Sequence, residues 1–132
     1  MKDNQQNLKV ARFVAKNYKR ALYNKEVFGE YKLNELCSFN IPEEYEKKLI
    51  TLFQEGVESI SSYPLLTEER RNCIKGLIEK KYLDERKVSV PQLSLEYNVS
   101  TSRVYGLISD GLLIVGNYMY KEGGEMVEAI KD

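Results

Sequence analysis

The stretch that most constrains the fold is residues 90–108, VPQLSLEYNVSTSRVYGLI. Leu93 and Val104 are eleven positions apart, the spacing expected where two short helices pack against each other across a tight turn. Ser94 is small at the point where those helices would approach closely. Asn98 lies where the turn needs a positive φ angle, which Asn tolerates better than most residues other than Gly. The pattern therefore predicts two helices joined by a short turn, which is the helix-turn-helix unit.

The second helix of this unit is predicted to present a polar face to solvent. Val99 is expected to anchor the turn in the core, and Ser100 is expected to cap the helix. The outward positions carry hydroxyls, one Arg, one Tyr and no acid before Asp110, and such groups bind phosphates and base edges in the major groove of DNA. The candidate DNA-binding residues are Ser100, Thr101, Ser102, Arg103, Tyr105 and Ser109. The alternative is a helical hairpin that serves only for packing or protein contact.

The N-terminal residues combine a helical apolar period with a basic stripe. Between Asn4 and Lys25 there are six bases and no acid. Apolar residues at steps of three and four predict one buried helix face, formed by Leu8, Ala11, Val14, Ala15, Tyr18, Ala21 and Leu22. The opposite face carries the candidate phosphate contacts Lys9, Arg12, Lys16, Lys19 and Arg20. An ordinary solvated face is the alternative, and the apolar face has too few bulky side chains for membrane binding.

Two further helices are predicted between these regions. The first begins near Asn40 and Pro42, a capping residue and a first-turn proline, and extends to about residue 61. Residues 61–64 (SSYP) then end it. Thr67 is predicted to cap the next helix, whose first turn is acidic. The candidate phosphate contacts on that helix are Arg70 and Arg71.

Residues 112–120, LLIVGNYMY, allow two interpretations. β-Branched and aromatic residues are frequent there, which fits a strand and would make a winged helix. The apolar period over 104–119 is unbroken, so we favour one helix that ends at 123–124 (GG) and leaves a short acidic tail or final turn. Three glycines oppose that helix, each by about 1 kcal/mol relative to Ala: Gly106, Gly111 and Gly116.

The composition argues against several kinds of site. The 132 residues include no His and only two Cys, Cys37 and Cys73, which form no CxxC pair. We therefore expect no enzyme, no metal and no cofactor. Twenty bases and twenty acids give a net charge of zero, which argues mildly against nucleic acid, but the basic run at 4–25 shows that the charge is unevenly spread. With no signal peptide or membrane span, an intracellular protein with reduced thiols is expected.

The run 67–118 resembles region four of bacterial sigma factors and, more specifically, the ArpU and RinA type of phage late-gene transcription regulators. The residues that carry this resemblance are Tyr82-Leu83, Asn98-Val99-Ser100, Val104-Tyr105 and Gly111-Leu112-Leu113. The N-terminal KVARFVAKNYKRAL is similar to the basic start of ArpU-like proteins, and 58–63 resembles the helix before their helix-turn-helix. Gly111 stands where the family has Ala. A second resemblance, to excisionase-like winged helices, rests on 108–113 and requires a strand at 112–120.

We therefore predict an all-α protein, a helical bundle with a C-terminal helix-turn-helix, and a short wing at 112–120 as the alternative. A basic N-terminal helix and a central helix would occupy 1–63, a DNA-binding domain 64–120, and an acidic tail 121–132. The resemblance implies a sequence-specific regulator of transcription that binds double-stranded DNA, encoded by a phage or prophage and acting in the host cytoplasm. A homodimer is expected because helix-turn-helix proteins often read two half-sites, and exposed apolar residues outside the motif would form its interface. RNA polymerase or another host protein is a further expected partner. The rival hypothesis is a protein-binding adaptor or anti-repressor.

Overall fold

The computed structural model describes residues 2–29, 41 and 43–129, and all regular structure in these ranges is helical. Five α-helices follow in order: α1 (Lys2–Phe28), α2 (Glu46–Ser59), α3 (Glu68–Ile78), α4 (Val90–Tyr97) and α5 (Thr101–Ala129). Short 3-10 helices, Glu43–Tyr45 and Ile60–Ser62, flank α2, and a π-helical turn, Glu79–Leu83, extends α3. The all-α prediction is confirmed for the described residues, which contain no strand.

The helix α5 is the element on which the other four helices pack. One continuous apolar core extends from α1 to the C-terminal end of α5. Every helix contributes fully buried side chains to that core, among them Val14, Phe53, Leu77, Leu93 and Leu112. The N-terminal basic helix therefore shares its core with the residues that the sequence interpretation assigned to a separate part of the chain.

The basic helix α1 buries a wider face than its sequence pattern indicates. Val10 and Phe13 lie outside the predicted apolar stripe but are buried, because α1 contacts α2, α5 and the π-helical turn at once. Gly29 ends the helix with φ +82°, and its amide donates to the Lys25 carbonyl at 2.9 Å. A glycine in this left-handed conformation is the usual stop signal of an α-helix.

The helix starts predicted from capping residues are confirmed where the structure describes them. The Thr67 hydroxyl accepts a hydrogen bond from the Arg70 amide at 3.1 Å, which caps α3. The predicted capping residue Asn40 and the first-turn Pro42 lie outside the described residues. The central helix ends close to the predicted position, since α2 gives way to the 3-10 turn Ile60–Ser62.

Residues 112–120 lie within α5, so the alternative of a wing strand is wrong. Leu112, Val115 and Met119 are buried at steps of three and four, which is the helical period and cannot be satisfied by a strand. The condition for the excisionase-like resemblance is therefore not met. The β-branched composition of this stretch was outweighed by the burial of one helix face against four neighbouring helices.

Gly111 and Gly116 lie where another helix comes too close for a side chain. A Cβ at Gly111 would lie 2.3 Å from the Ile78 side chain, and a Cβ at Gly116 would lie 2.3 Å from the Asn7 carbonyl oxygen. Close packing against α3 and α1 therefore offsets the lower helix propensity of glycine at these two positions.

The C-terminal end of α5 differs from the expected acidic tail. Gly123 has non-helical angles, φ −136° and ψ 44°, which kink the chain at the predicted stop. Helix resumes beyond the kink and continues to Ala129, and Met126 and Val127 are buried in the core. The residues after the glycine pair therefore pack against the bundle as far as the structure describes them.

Candidate nucleic-acid interface

The connection between α4 and α5 has the backbone geometry that the sequence predicts. Asn98 has φ 54° and ψ 47°, the left-handed conformation, and within the described residues it is the only residue other than glycine with a positive φ. The Val99 amide donates to the Ser94 carbonyl at 3.1 Å, and the Ser94 hydroxyl donates back to the Val99 carbonyl. The Ser94 hydroxyl and the left-handed Asn98 therefore both stabilise this turn.

Both helices of the pair have side-chain caps. Ser89 and Gln92 form a reciprocal capping box at the start of α4, in which the Gln92 side chain accepts from the Ser89 amide at 2.9 Å. Ser100 caps α5 as predicted, because its hydroxyl accepts from the Arg103 amide at 3.1 Å. The orientation of the first turn of α5 is therefore fixed by local hydrogen bonds as well as by the buried Val104.

The outward face of α5 is polar and open over its first two turns. Thr101, Ser102, Arg103 and Tyr105 are exposed, Tyr105 by 60% of its surface. The Arg103 guanidinium has no hydrogen bond or ion pair among the described residues, although its backbone amide is engaged in the cap. Ser109, one turn further on, is half-buried. These side chains are available to an external partner, with the single exception of Ser109.

Two of the predicted basic contacts meet in a cleft between the N-terminal turns of α3 and α5. The cleft has a volume of about 340 Å³, and both Arg70 and Arg103 line it together with the capping residue Thr67. Both arginines are exposed. The N-terminus of a helix favours an anion, so the cleft offers two guanidinium groups and a helix terminus, with Glu69 as its one acidic lining residue.

Arg71 is turned away from this cleft. Its Nη1 atom donates to the carbonyls of Tyr63 and Leu66, both at 3.0 Å, while its Nε is buried and has no hydrogen-bond partner within the described ranges. The side chain therefore holds the loop that precedes α3. The sequence predicted Arg71 as a phosphate contact together with the adjacent Arg70. Adjacent side chains on a helix point about 100° apart, so the two arginines face different surroundings.

The basic stripe of α1 meets the predicted recognition surface at one defined contact. The Arg12 guanidinium donates to the Ser109 hydroxyl at 3.3 Å, so α1 and the second turn of α5 share a surface there. On the same flank of α1, the Lys19 ammonium donates to the Arg86 carbonyl at 3.0 Å. The remaining stripe residues, Lys9, Lys16 and Arg20, are exposed.

Tyr82 lies beside this contact and was not predicted as part of the site. Burial raises the pKa of its phenol above the ordinary value, and the nearby Tyr105 adds to that increase, while the Arg12 charge acts in the opposite direction. In the sequence, Tyr82 continues the apolar spacing of Ile74 and Ile78, which is typical of a core residue. Only the packing of α1 against the π-helical turn reveals that Tyr82 lies close to Arg12 and Tyr105.

Two other bases of the middle region, Lys75 and Lys80, are paired with carboxylates. The Lys75 ammonium lies 3.0 Å from a Glu58 carboxylate oxygen and also donates to the Ser61 hydroxyl. Lys80 pairs with Glu96, and this hydrogen bond raises the pKa of the ammonium. Surface pairs of this kind contribute little to stability, but they reduce the positive charge that these two lysines can offer to a phosphate.

No group of three or more His, Cys, Asp or Glu residues is placed to hold a metal ion in the described part of the chain. Cys73 is a half-buried free thiol, and Cys37 lies outside the described residues. Within the same ranges, no helix has the length and apolar character needed to cross a membrane. Comparisons with protein-family models, curated proteins and solved structures found no match.

Proposed function

We propose that the chain binds double-stranded DNA and regulates transcription, with the first two turns of α5 placed in the major groove. The observation that carries the proposal is the exposed face of residues 101–106, which has hydroxyls, a Tyr, an Arg side chain with no partner among the described residues, and no acid. A turn with a left-handed Asn98 and a capped helix start holds that face away from the core. This is the arrangement by which a recognition helix presents its N-terminal residues to base edges.

Phosphate contacts would flank this helix on two sides. Arg70 and Arg103 share the cleft at the N-terminal turns of α3 and α5. The basic stripe of α1 meets α5 at another point, where Arg12 contacts Ser109. Basic side chains next to a recognition helix fix its register on the duplex without reading sequence. The proposed division is therefore base recognition by 101–109 and phosphate binding by Arg70, Lys9, Lys16 and Arg20.

The regulatory part of the proposal rests on the resemblance to phage late-gene regulators. By that resemblance the protein would be phage or prophage encoded and act in the host cytoplasm, with RNA polymerase or another host protein as a second partner. We further propose a homodimer, since proteins of this kind often read two half-sites related by symmetry. Sedimentation equilibrium at micromolar concentration tests the dimer. A monomer mass for the free protein, together with one protein chain per duplex in the complex, would refute it.

Selection from a random duplex pool, followed by fluorescence anisotropy of the enriched duplex, tests DNA binding. We expect binding whose affinity falls steeply between about 50 and 200 mM salt, as counterion release requires. Arg103→Ala should weaken binding by about 1–3 kcal/mol. Lys121→Ala, which removes an exposed base from the opposite end of α5, should leave affinity unchanged. No enrichment at low salt, or equal loss in both variants, would contradict the proposal.

A protein-binding adaptor or anti-repressor is the second candidate, and two exposed leucines favour it. Leu95 on α4 is 84% exposed and Leu65 is 79% exposed, and exposed apolar side chains are used in protein contacts. If this function is correct, the double variant Leu65→Ser with Leu95→Ser should abolish capture of a host protein, while Arg103→Ala should not. The DNA proposal predicts the reverse order of effects on duplex binding.

A further inference from the structure

The five glycines of α5 differ in what surrounds them. Gly111 and Gly116 have a neighbouring helix within 2.3 Å of where a Cβ would lie, and Gly123 marks the kink. Each of these has a reason within the fold. Glycine is otherwise an unfavourable residue in a helix, since it is conformationally free in the unfolded chain.

Gly106 has no such reason. Among the described residues, no atom outside the adjoining helix backbone lies within 4 Å of the position that a Cβ would occupy, and the residue is exposed in the middle of the outward face. Its backbone is helical, so no positive φ requires a glycine there. Alanine would fit without any contact in the free protein and would be the better helix former.

The neighbours of Gly106 give its exposed position a definite shape. Ser102 precedes it by one turn and Ser109 follows by one turn, so three small residues lie one above another along the helix. Arg103 and Tyr105, both long and both exposed, lie on either side of this line. The outward face therefore has small side chains along its centre and a long side chain on each side.

We infer that Gly106 is the point of closest approach between α5 and the DNA, and that its missing side chain sets how deeply the helix enters the major groove. An α-helix with side chains is about 10–12 Å wide and the major groove is about 12 Å wide, so the fit leaves little room. With the helix backbone close to the base edges at Gly106, Arg103 and Tyr105 reach base edges or phosphates on the two sides. This inference rests on the proposed DNA binding.

The choice of duplex DNA as the occupant follows from charge and shape. The outward face has no acid from position 100 to 109 and carries a guanidinium with no partner among the described residues. It continues at Ser109 into the basic stripe of α1 through Arg12. A polyanion whose grooved surface accepts one helix matches both properties, whereas an apolar protein groove would leave the Arg103 charge and the hydroxyls without partners.

The test compares wild-type chain with Gly106→Ala and Gly106→Leu on the duplex selected by the wild type. Gly124→Ala is the matched control, because it adds the same methyl group to the same helix at a site where the nearest atom, on Tyr120, is 4.0 Å away. Thermal unfolding is measured for all four proteins. We expect both Gly106 variants to unfold at the wild-type temperature or above it. Their affinity for the duplex should fall by about tenfold for Ala and more for Leu, while Gly124→Ala binds like wild type.

Three outcomes would overturn the inference. If Gly106→Ala and Gly106→Leu bind the duplex as tightly as wild type, the helix does not approach DNA at Gly106, although the proposed function stands. If Gly124→Ala loses affinity equally, the effect comes from helix stiffness and not from contact. If the wild-type chain enriches no duplex from the pool, the proposed function fails, and this inference fails with it.

Discussion

The inner and outer lengths of α5 both contain glycine, but these glycines differ in what surrounds them. Along its inner length, 111–127, the helix packs against α1, α2 and α3, and Gly111 and Gly116 lie where a neighbouring helix leaves no space for a methyl group. Along its outer length, 101–109, the outward face is exposed, and in the described part of the chain no other element comes within 4 Å of where a Cβ of Gly106 would lie. The fold requires glycine at the first two positions, because a side chain there would collide with a neighbouring helix. The fold does not require glycine at position 106.

This comparison separates residues that stabilise the protein from residues that are available for binding. In the inner length, substitutions should change the free energy of unfolding first and any activity only as a result. In the outer length, substitutions should leave stability intact and change binding directly. Substitutions in each length of α5, and at the side chains that contact it, test that separation.

The largest expected effect on stability is that of Gly116→Ala. The new Cβ would lie 2.3 Å from the Asn7 carbonyl oxygen and 2.7 Å from its carbon, and backbone atoms cannot rotate away, so α1 must shift. We expect the free energy of unfolding in urea to fall by about 2–3 kcal/mol. Gly111→Ala should cost less, about 1–2 kcal/mol, because the atoms it meets belong to the buried Ile74 and Ile78 side chains and not to backbone.

Gly106→Ala is the control for that series. It should raise the free energy of unfolding by up to about 1 kcal/mol, since it gains helix propensity and meets nothing. If Gly116→Ala proves as stable as wild type, or if Gly106→Ala is destabilised, the two lengths of α5 do not differ in the way described.

A smaller effect is expected at Ser100, which caps α5 at the start of its outer length. Ser100→Ala removes the hydrogen bond to the Arg103 amide and should lower the free energy of unfolding by about 1 kcal/mol. Ser100→Asp keeps the cap and should stay within about 0.5 kcal/mol of wild type. The Asp variant nevertheless adds a negative charge to the outward face, so its affinity for the selected duplex should fall. Equal DNA affinity in Ser100→Asp and wild type would place the interface elsewhere.

The smallest effect concerns Tyr82, at the border between the two lengths. Burial raises the pKa of its phenol in the folded state, so the neutral form is the one that the fold favours. Its contribution to stability is present below the unfolded pKa, near 10, and is lost as the pH rises through the folded pKa. Between pH 9 and pH 11 the free energy of unfolding should therefore decline more steeply in wild type than in Tyr82→Phe. Parallel curves for wild type and Tyr82→Phe would contradict the assignment.

Local features of the fold were predictable because they depend on adjacent residues. The left-handed Asn98, the caps at Thr67 and Ser100 and the glycine stop after α1 follow from backbone hydrogen bonds within about one turn. The helical nature of 112–120 also followed from its apolar period, against the opposing β-branched composition. These signals need no knowledge of the rest of the chain.

Contacts between distant segments were not predictable from the same patterns. Arg12 and Ser109 are 97 positions apart, and nothing in either segment indicates that they touch. The burial of Asn7 and the continued helix after Gly123 likewise depend on how α1 and α2 pack against α5. The candidate interface was therefore predicted as a set of residue types, while the direction of Arg71 and the position of Tyr82 required the folded structure.

The most direct test of the proposed interface is amide chemical-shift mapping of the ¹⁵N-labelled chain titrated with the selected duplex. We predict that the largest amide chemical-shift changes occur at residues 100–109, at Arg70 and around Arg12 in α1. The amides of 111–127 should keep nearly the chemical shifts of the free protein. Shifts confined to the region of Leu65 and Leu95, or spread evenly along α5, would contradict the placement of the outer length of α5 in the major groove.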